Sequence, residues 1–227
     1  DLQVLASVYE NGVEVGWQRQ YITIRDLAFR HHKHAGVYNT GSNVTVTACS
    51  FDRSYFGIRS YGNNGSYTNN NIHHTYASGM GLLDNNSTVE NNVVEDIALR
   101  PGMGESFWGY YGMYVSGNGN VVRGNQITRT GNSGLFLGGN PLVEKNRISQ
   151  ALMTVNDGGG IYWDSADGAV IQDNIISDVG GNMESVAADY FINAQIGMGI
   201  YFGNSVIKNI IVRRNTVFDC STAGIHV

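Results

Sequence analysis

The sequence predicts an all-β fold: a right-handed single-stranded parallel β-helix, a solenoid of about eight coils with an internal ladder of asparagine side chains. The first observation is a motif of glycine, an apolar residue, any residue and an apolar residue, which recurs about every 20 residues. It begins at Gly36, Gly57, Gly79, Gly112, Gly134, Gly160, Gly199 and Gly224. The second is an asparagine motif that precedes the glycine motif in most coils. The third is that no segment keeps an apolar period of about 3.6 residues over several turns, which argues against helices.

The asparagine motif reads apolar, two variable residues, Asn, one variable residue, apolar. Its asparagines are Asn70, Asn92, Asn125, Asn146, Asn174 and Asn215. Two earlier copies of the motif carry Leu27 and Cys49 at this place. Stacked coils would align the asparagines at an internal turn, where each amide can bond its neighbours above and below. We therefore assign them a structural role.

The repeats divide the chain into coils near 21–43, 44–65, 66–87, 88–120, 121–140, 141–169, 170–210 and 211–227, after a partial coil at 1–20. We expect one β-helix domain over residues 1–227. The sequence begins and ends in mid-pattern, so we expect a fragment of a longer chain. Uncapped coil ends expose strand edges, which makes self-association through these ends a candidate interaction.

Composition limits the partners. A net charge of −5 argues against nucleic acid and leaves a neutral glycan open. No run of about 18 apolar residues is present, so we expect no membrane span. Cys49 and Cys220 would lie roughly 34 Å apart in the stack, beyond disulfide reach. Adjacent histidines on an extended loop, as at His31–His34, should point apart, so we predict no metal site and no cofactor.

Three coils carry long insertions between the asparagine turn and the glycine strand. They cover residues 95–111, 149–159 and 177–198. All leave the same corner of the coil, so stacking should place them on one side of the cylinder. Long loops on a compact scaffold are usually functional. We expect them to enclose a cleft over the glycine strand.

Alternation along the glycine strand places one residue of each coil on the outer face of that cleft. With aromatic residues of the nearby insertion, the candidate substrate-binding residues are Tyr38, Arg59, Trp108, Tyr110, Tyr114, Phe136, Tyr162 and Tyr201. An outward aromatic stripe is unusual on a solenoid. Three explanations remain open: burial of the rings under the loops, stacking of sugar rings on them, and docking of another protein.

Acidic residues in the same region could perform catalysis. Glycoside hydrolysis needs two carboxylates across a sugar-sized gap, one acid and one base or nucleophile. The candidates are Asp157, Asp164, Glu184 and Asp189. Asp157 precedes three glycines, which would let the backbone approach a ligand closely. The alternative is that Asp157 only caps the turn by accepting backbone N–H bonds from those glycines.

The segment 140–227 resembles the β-helical glycoside hydrolases that include α-L-fucosidase and xylanase activities. The resemblance lies in Asn156 to Trp163, the ladder residue Asn174, Gly199 to Tyr201, and Asn215 to Val217. It implies that Asp157 is one of two catalytic acids. The Asp pair that should follow the later Gly-Ile-Tyr is replaced by Gly203 and Asn204, so the second acid would be Asp164, Glu184 or Asp189.

We therefore expect a secreted, periplasmic or cell-surface glycoside hydrolase that binds a polysaccharide or oligosaccharide. One alternative is a lyase on an acidic polysaccharide, in which Lys33, Arg53, Arg59 or the histidine pairs could take part. The other is a non-catalytic fibre, adhesin or surface structural protein. The fold cannot separate the three, because β-helices serve all of them.

Overall fold

A computed structural model describes residues 7–185, 194–203 and 205–227. Over these ranges the chain is a parallel β-helix in which each coil contributes one strand to each of three sheets. The predicted fold class is confirmed. Among the described residues there is no helix that is long and apolar enough to cross a membrane.

The first sheet contains the glycine strands and has nine strands in the described chain. They are Asn11–Val15, Ala35–Asn39, Phe56–Ser60, Met80–Leu83, Met113–Ser116, Leu135–Leu137, Gly158–Trp163, Gly197–Phe202 and Ala223–His226. The second sheet lies before the asparagine turn. Its strands are Thr23–Arg25, Thr45–Thr47, Ser66–Thr68, Thr88–Glu90, Val121–Arg123, Leu142–Glu144, Val170–Gln172 and Ile211–Arg213.

The third sheet follows the asparagine turn. Its strands are Ala28–Arg30, Ser50–Asp52, Asn71–His73, Val93–Ile97, Gln126–Thr130, Arg147–Ser149, Ile175–Val179 and Thr216–Cys220. A short parallel pair, Ala166–Asp167 with Ile207–Lys208, lies between the first and second sheets along the chain. The order of strands in every sheet follows the order of coils, so each coil pairs only with its two neighbours.

The asparagine ladder is confirmed. From Asn70 to Asn174, each side-chain amide N–H donates to the side-chain oxygen of the next ladder asparagine at 2.9–3.0 Å, the last acceptor being Asn215. That oxygen also accepts the backbone N–H of the preceding ladder residue. Every described rung but Asn215 is about 1% exposed. Cys49 takes the ladder position of its coil and donates its backbone N–H to Asn70.

The core is built from identical positions of successive coils. In the first sheet, the residues that follow the glycines pair in register from Val37 and Ile58 through Met80 to Ile200 and Ile225. All except the terminal Ile225 are fully buried. Because each residue packs on its equivalent one strand spacing away, the apolar columns form a continuous interior.

A second column marks the end of the third sheet. At this left-handed turn the residues have φ between 50° and 57°, although none is glycine. They are His31, Arg53, His74, Asp96, Arg129, Gln150, Asp178 and Asp219. Positive φ turns the chain sharply, so the strict alternation of side chains stops here. The three insertions follow this turn and precede the first sheet, which confirms that they leave one corner.

The glycines of the first sheet are required by packing between coils. A Cβ on Gly112 would lie 2.5 Å from the Gly134 carbonyl oxygen and 2.7 Å from a Thr130 methyl carbon. We expect Gly112→Ala to lower the free energy of unfolding by about 1–3 kcal/mol, the usual cost of overpacking. Denaturant unfolding measures this. Gly16→Ala is the control, because a Cβ at Gly16 meets nothing within 4 Å; equal effects would contradict the packing explanation.

Candidate functional site

The outward residues of the first sheet form one column across the coils. Strand register pairs Tyr114 with Phe136, Phe136 with Tyr162, and Tyr162 with Tyr201. Their ring centroids are 5.1, 5.0 and 4.9 Å apart. His226 extends the column at 5.2 Å from Tyr201. The rings pack edge to face or tilted, so they bury part of one another. Tyr114, Phe136 and Tyr162 remain partly exposed, whereas Tyr201 is only 8% exposed.

A pocket of about 400 Å³ lies beside this column. Trp108 and Tyr111 of the fourth-coil insertion form one wall, and Tyr111 packs on Phe136 at 4.5 Å. The complete lining of the Asp157 pocket is Trp108, Tyr111, Asn132, Phe136, Asp157, Tyr162 and Asp164. Aromatic walls with a few polar groups are typical of ligand pockets.

Asp157 is half-buried and has φ of 61°, so it closes the sixth-coil insertion in a left-handed conformation. Burial raises its pKa above the usual range, while a hydrogen bond with Tyr201 and the nearby His226 oppose this rise. The backbone N–H of Gly159 donates to the Ser133 hydroxyl oxygen rather than to Asp157. A raised pKa means that the carboxyl group keeps its proton to a higher pH than an ordinary aspartate, which favours a role as general acid.

Asp164 is the second carboxylate of the pocket. It is exposed and lies at the end of the same strand, where the Tyr162 hydroxyl donates to it at 3.4 Å. Burial, and then the charge of Asp164, raises the pKa of Tyr162. Burial and the charge of Asp157 raise the pKa of Tyr201. Each carboxylate thus has a neutral phenol beside it that can donate a hydrogen bond.

The three glycines after Asp157 serve the scaffold. A Cβ on Gly160 would lie 2.3 Å from an Ile176 methyl carbon, and one on Gly158 would lie 2.7 Å from the Ser133 hydroxyl oxygen. We expected these glycines to let the backbone approach a ligand. The structure instead shows that Gly158 and Gly160 are needed because the coils pack closely there. Asn156 fixes the segment in place, because its side-chain oxygen accepts the backbone N–H of Asn182 at 2.6 Å.

A second depression of about 620 Å³ adjoins the Asp157 pocket and shares Phe136 and Asp164 with it. Its far side is formed by the short strand pair and carries Lys208. We call it the Lys208 groove. Together the two depressions cross the aromatic column, with an acidic side at Asp157 and a basic residue at Lys208.

Arg59 and Tyr110 have internal partners. Arg59 is 7% exposed and forms an ion pair with Glu105 at 2.7 Å. The Arg59 side chain lies over Gly81 of the next coil. A Cβ on Gly81 would be 2.4 Å from the Arg59 guanidinium. Tyr110 is 4% exposed, and its hydroxyl oxygen accepts the backbone N–H of Gly102 at 2.8 Å. Both residues hold the fourth-coil insertion over the first sheet, and neither lines the Asp157 pocket.

The remaining candidates lie elsewhere. Tyr38 packs against Tyr61, with ring centroids 6.1 Å apart, in an early coil that does not line the Asp157 pocket. Glu184 is exposed and lines a separate groove between the sixth- and seventh-coil insertions. Asp189 falls outside the described residues. The structure thus brings together Asp157, Asp164, Trp108 and the later aromatic residues.

Sequence reasoning did not select Asn132, Tyr111 or Lys208 as site residues. Asn132 lies two residues before Gly134 of the glycine motif, and its side-chain N–H donates to the Val155 carbonyl oxygen at 3.2 Å. The signal for Asn132 was its place one coil before Asn156, at the same corner. Lys208 had no such signal, because its position depends on the short strand pair.

The raised pKa of Asp157 has a consequence for stability. A carboxyl group whose pKa is higher in the folded state destabilises the fold progressively as pH rises through that pKa. We expect Asp157→Asn to match the wild type below about pH 4 and to be equally or more stable at neutral pH. Thermal unfolding at several pH values measures this. A variant that loses stability at neutral pH would assign Asp157 a structural role.

The fold and the groove define a β-helix protein with an aromatic-lined cleft on one face. The family model described as right handed beta helix region matches residues 11–104 and 60–227. The chain therefore belongs to this family, and the predicted handedness is confirmed. No curated protein sequence is significantly similar to the chain.

One solved structure supports the same fold, and two others are reported beside it. A double mutant of the periplasmic alginate epimerase AlgG superimposes with a TM-score of 0.56 at 14% identity, over 86% of this chain and 50% of AlgG. The chain thus spans half the length of that protein. An alginate lyase from Paenibacillus sp. superimposes with a TM-score of 0.45 at 15% identity, over 95% of this chain and 85% of the lyase. The Dettilon tailspike protein superimposes with a TM-score of 0.47 at 12% identity, over 90% of this chain and 59% of the tailspike chain.

Proposed function

We propose that this β-helix belongs to a secreted or periplasmic enzyme that binds a polysaccharide across the aromatic column and acts on it at Asp157. The observation that carries the proposal is a half-buried carboxyl group with a raised pKa, in a pocket walled by Trp108, Tyr111 and Phe136. Aromatic faces bind sugar rings, and the carboxyl group supplies acid catalysis.

Hydrolysis of a glycosidic bond is the reaction that the pocket lining supports. Asp157 would protonate the leaving oxygen, and the exposed carboxylate of Asp164 would act as base or nucleophile. Burial favours the protonated form of Asp157, whereas exposure to solvent favours the ionised form of Asp164. Such a difference in environment lets one carboxyl group act as the acid while the other stays ionised. The described lining contains no Lys or Arg, which suits a neutral sugar.

Elimination or epimerisation on an acidic polysaccharide is the second candidate, and the comparisons favour it over hydrolysis. AlgG is described as an alginate epimerase. Both reactions remove a proton beside a sugar carboxylate, whose charge must be neutralised. A protonated Asp157 could donate a hydrogen bond to that carboxylate, and Lys208, which lines the adjoining groove, could supply a positive charge. The imidazole of His226, whose ring centroid lies 5.2 Å from that of Tyr201, would take the proton from the sugar carbon. A neutral phenol of Tyr162 or Tyr201 would supply a proton to the leaving oxygen in elimination, or to the opposite face of the carbon in epimerisation.

One experiment tests the proposal and separates the reactions. The purified protein is incubated with neutral polysaccharides such as xylan and with alginate. New reducing ends without ultraviolet absorbance indicate hydrolysis. New absorbance from a conjugated double bond indicates elimination, and a changed ratio of uronate epimers indicates epimerisation. No binding and no change of any polysaccharide, by a protein that is folded by circular dichroism, would overturn the proposal.

A further inference from the structure

A cluster of two histidines and one aspartate lies in the second and third coils, apart from the residues of the Asp157 pocket. Asp52 and His73 are register partners on neighbouring strands of the third sheet, and His74 follows at the left-handed turn. One ligand atom of each residue lies within 4.8 Å of the other two. Strand pairing and a single backbone turn therefore bring three metal-ligating side chains together.

The left-handed turn is what makes the two histidines converge. Adjacent residues of an extended strand point to opposite faces, so two consecutive histidines should not bind the same metal ion. His74 has φ of 55°, which breaks the alternation. The Nδ1 atoms of His73 and His74 consequently lie 3.1 Å apart. The expectation from sequence, that adjacent histidines point apart, does not hold at this pair.

The three ligand atoms have the spacing of a metal site. Asp52 Oδ1 lies 3.1 Å from His74 Nδ1 and 3.3 Å from His73 Nδ1. Ligands at about 2.0–2.1 Å from a tetrahedral Zn²⁺ are about 3.3 Å from one another. The observed triangle closely matches one face of that tetrahedron. The Asp52 side chain is only 7% exposed, so a buried carboxylate faces two imidazole nitrogens.

The surrounding charges orient these ligands. The other carboxylate oxygen of Asp52 accepts a hydrogen bond from Arg53 at 2.7 Å, whereas Oδ1 faces only the two histidine nitrogens among the described contacts, and a metal ion would replace its hydrogen bond with His74. His74 Nε2 lies 3.7 Å from Asp96, and Asp96 accepts two bonds from Arg129 at 2.6 and 2.9 Å. A carboxylate behind a histidine fixes the proton on the outer nitrogen and leaves the inner nitrogen as the ligand.

A pocket of about 260 Å³ opens beside the cluster and is lined by His74, Asp96 and Arg100, among others. Of the three proposed ligands only His74 lines this pocket, so the pocket opens on the His74 side of the cluster. Three protein ligands with one open position are typical of zinc sites that bind water or substrate. We propose that Asp52, His73 and His74 form a binding site for one Zn²⁺ ion, with water or an anionic oxygen as the fourth ligand.

Metal titration tests the site directly. The protein without a polyhistidine tag is stripped with a chelator and titrated calorimetrically with ZnCl₂. We expect one Zn²⁺ per chain, a higher melting temperature with metal, and a visible absorption band when Co²⁺ replaces Zn²⁺. Asp52→Asn and His74→Gln should each weaken binding by at least about 100-fold, because loss of a ligand should exceed the 10–100-fold cost of losing a second-shell group.

His31→Gln is the matched control, since His31 occupies the same left-handed turn two coils earlier and lies outside the cluster. Should a ligand variant misfold, Asp96→Asn keeps the test open, with an expected loss of about 10-fold. A wild-type protein without stoichiometric Zn²⁺ would overturn the proposal. So would equal losses in His31→Gln and His74→Gln.

Discussion

Asp157→Asn should lower turnover of the polysaccharide by at least about 100-fold, the usual scale for the loss of positioned acid–base catalysis. The amide keeps the shape of the side chain and cannot supply a proton. Folding should be unaffected, because the carboxyl group is half-buried and its pKa is raised. Initial rates at saturating substrate, with circular dichroism as a check on the fold, measure the effect.

Asp164→Asn shows which chemistry operates. In hydrolysis Asp164 is the partner carboxylate, so its loss should be as severe as that of Asp157. In elimination or epimerisation Asp164 only borders the site, and its removal should be mild. Asp178→Asn is the matched control, because Asp178 is an exposed carboxylate at the left-handed turn. Normal turnover by the Asp157→Asn protein would assign Asp157 to the scaffold alone.

Asn146→Leu should lower the free energy of unfolding by about 3–5 kcal/mol. The Asn146 side chain takes part in four hydrogen bonds: it donates to Val122 and Asn174 and accepts two bonds from Asn125. Leucine removes all four and leaves buried donors and acceptors without partners, each at a cost of about 1–3 kcal/mol. Denaturant unfolding with an unchanged m-value is the measurement.

Asn215→Leu is the control for the ladder. Asn215 is the last rung within the described residues, is only partly buried, and its side-chain N–H donates to backbone carbonyl oxygens rather than to another ladder asparagine. Its replacement should cost clearly less than that of Asn146. An unchanged unfolding midpoint in Asn146→Leu would contradict the importance of the internal rungs.

The scaffold was predictable because it depends on two regular patterns in the sequence, the two-residue alternation of side chains along a strand and the repeat of about 20 residues. Alternation along a strand assigned Val37 and Ile58 inward and Tyr114 and Phe136 outward, and stacking then aligned each coil with the next. The register and the ladder were therefore correct at residue level. Only the repeat and the side-chain period of a strand were needed.

The site was less predictable because it depends on insertions and on backbone exceptions. Arg59 was placed on the outer face correctly, but its ion pair with Glu105 joins residues far apart in sequence. Positive φ at His74 is not encoded by a glycine, so the meeting of two adjacent histidines could not be anticipated. Asp157 was selected from a motif, whereas the ring and hydroxyl contacts around it required the folded coils.

The ladder keeps successive coils aligned whatever the number of residues in each coil. Successive rungs are 22, 33, 21, 28 and 41 residues apart in sequence, yet their amide bonds stay at 2.9–3.0 Å. The extra residues leave from the opposite side of the third sheet, so one corner varies while the other stays constant. This protein should therefore accept foreign sequence inserted at the exposed residues 101–103, at the tip of the fourth-coil insertion, while the buried residues of that insertion keep the coil closed.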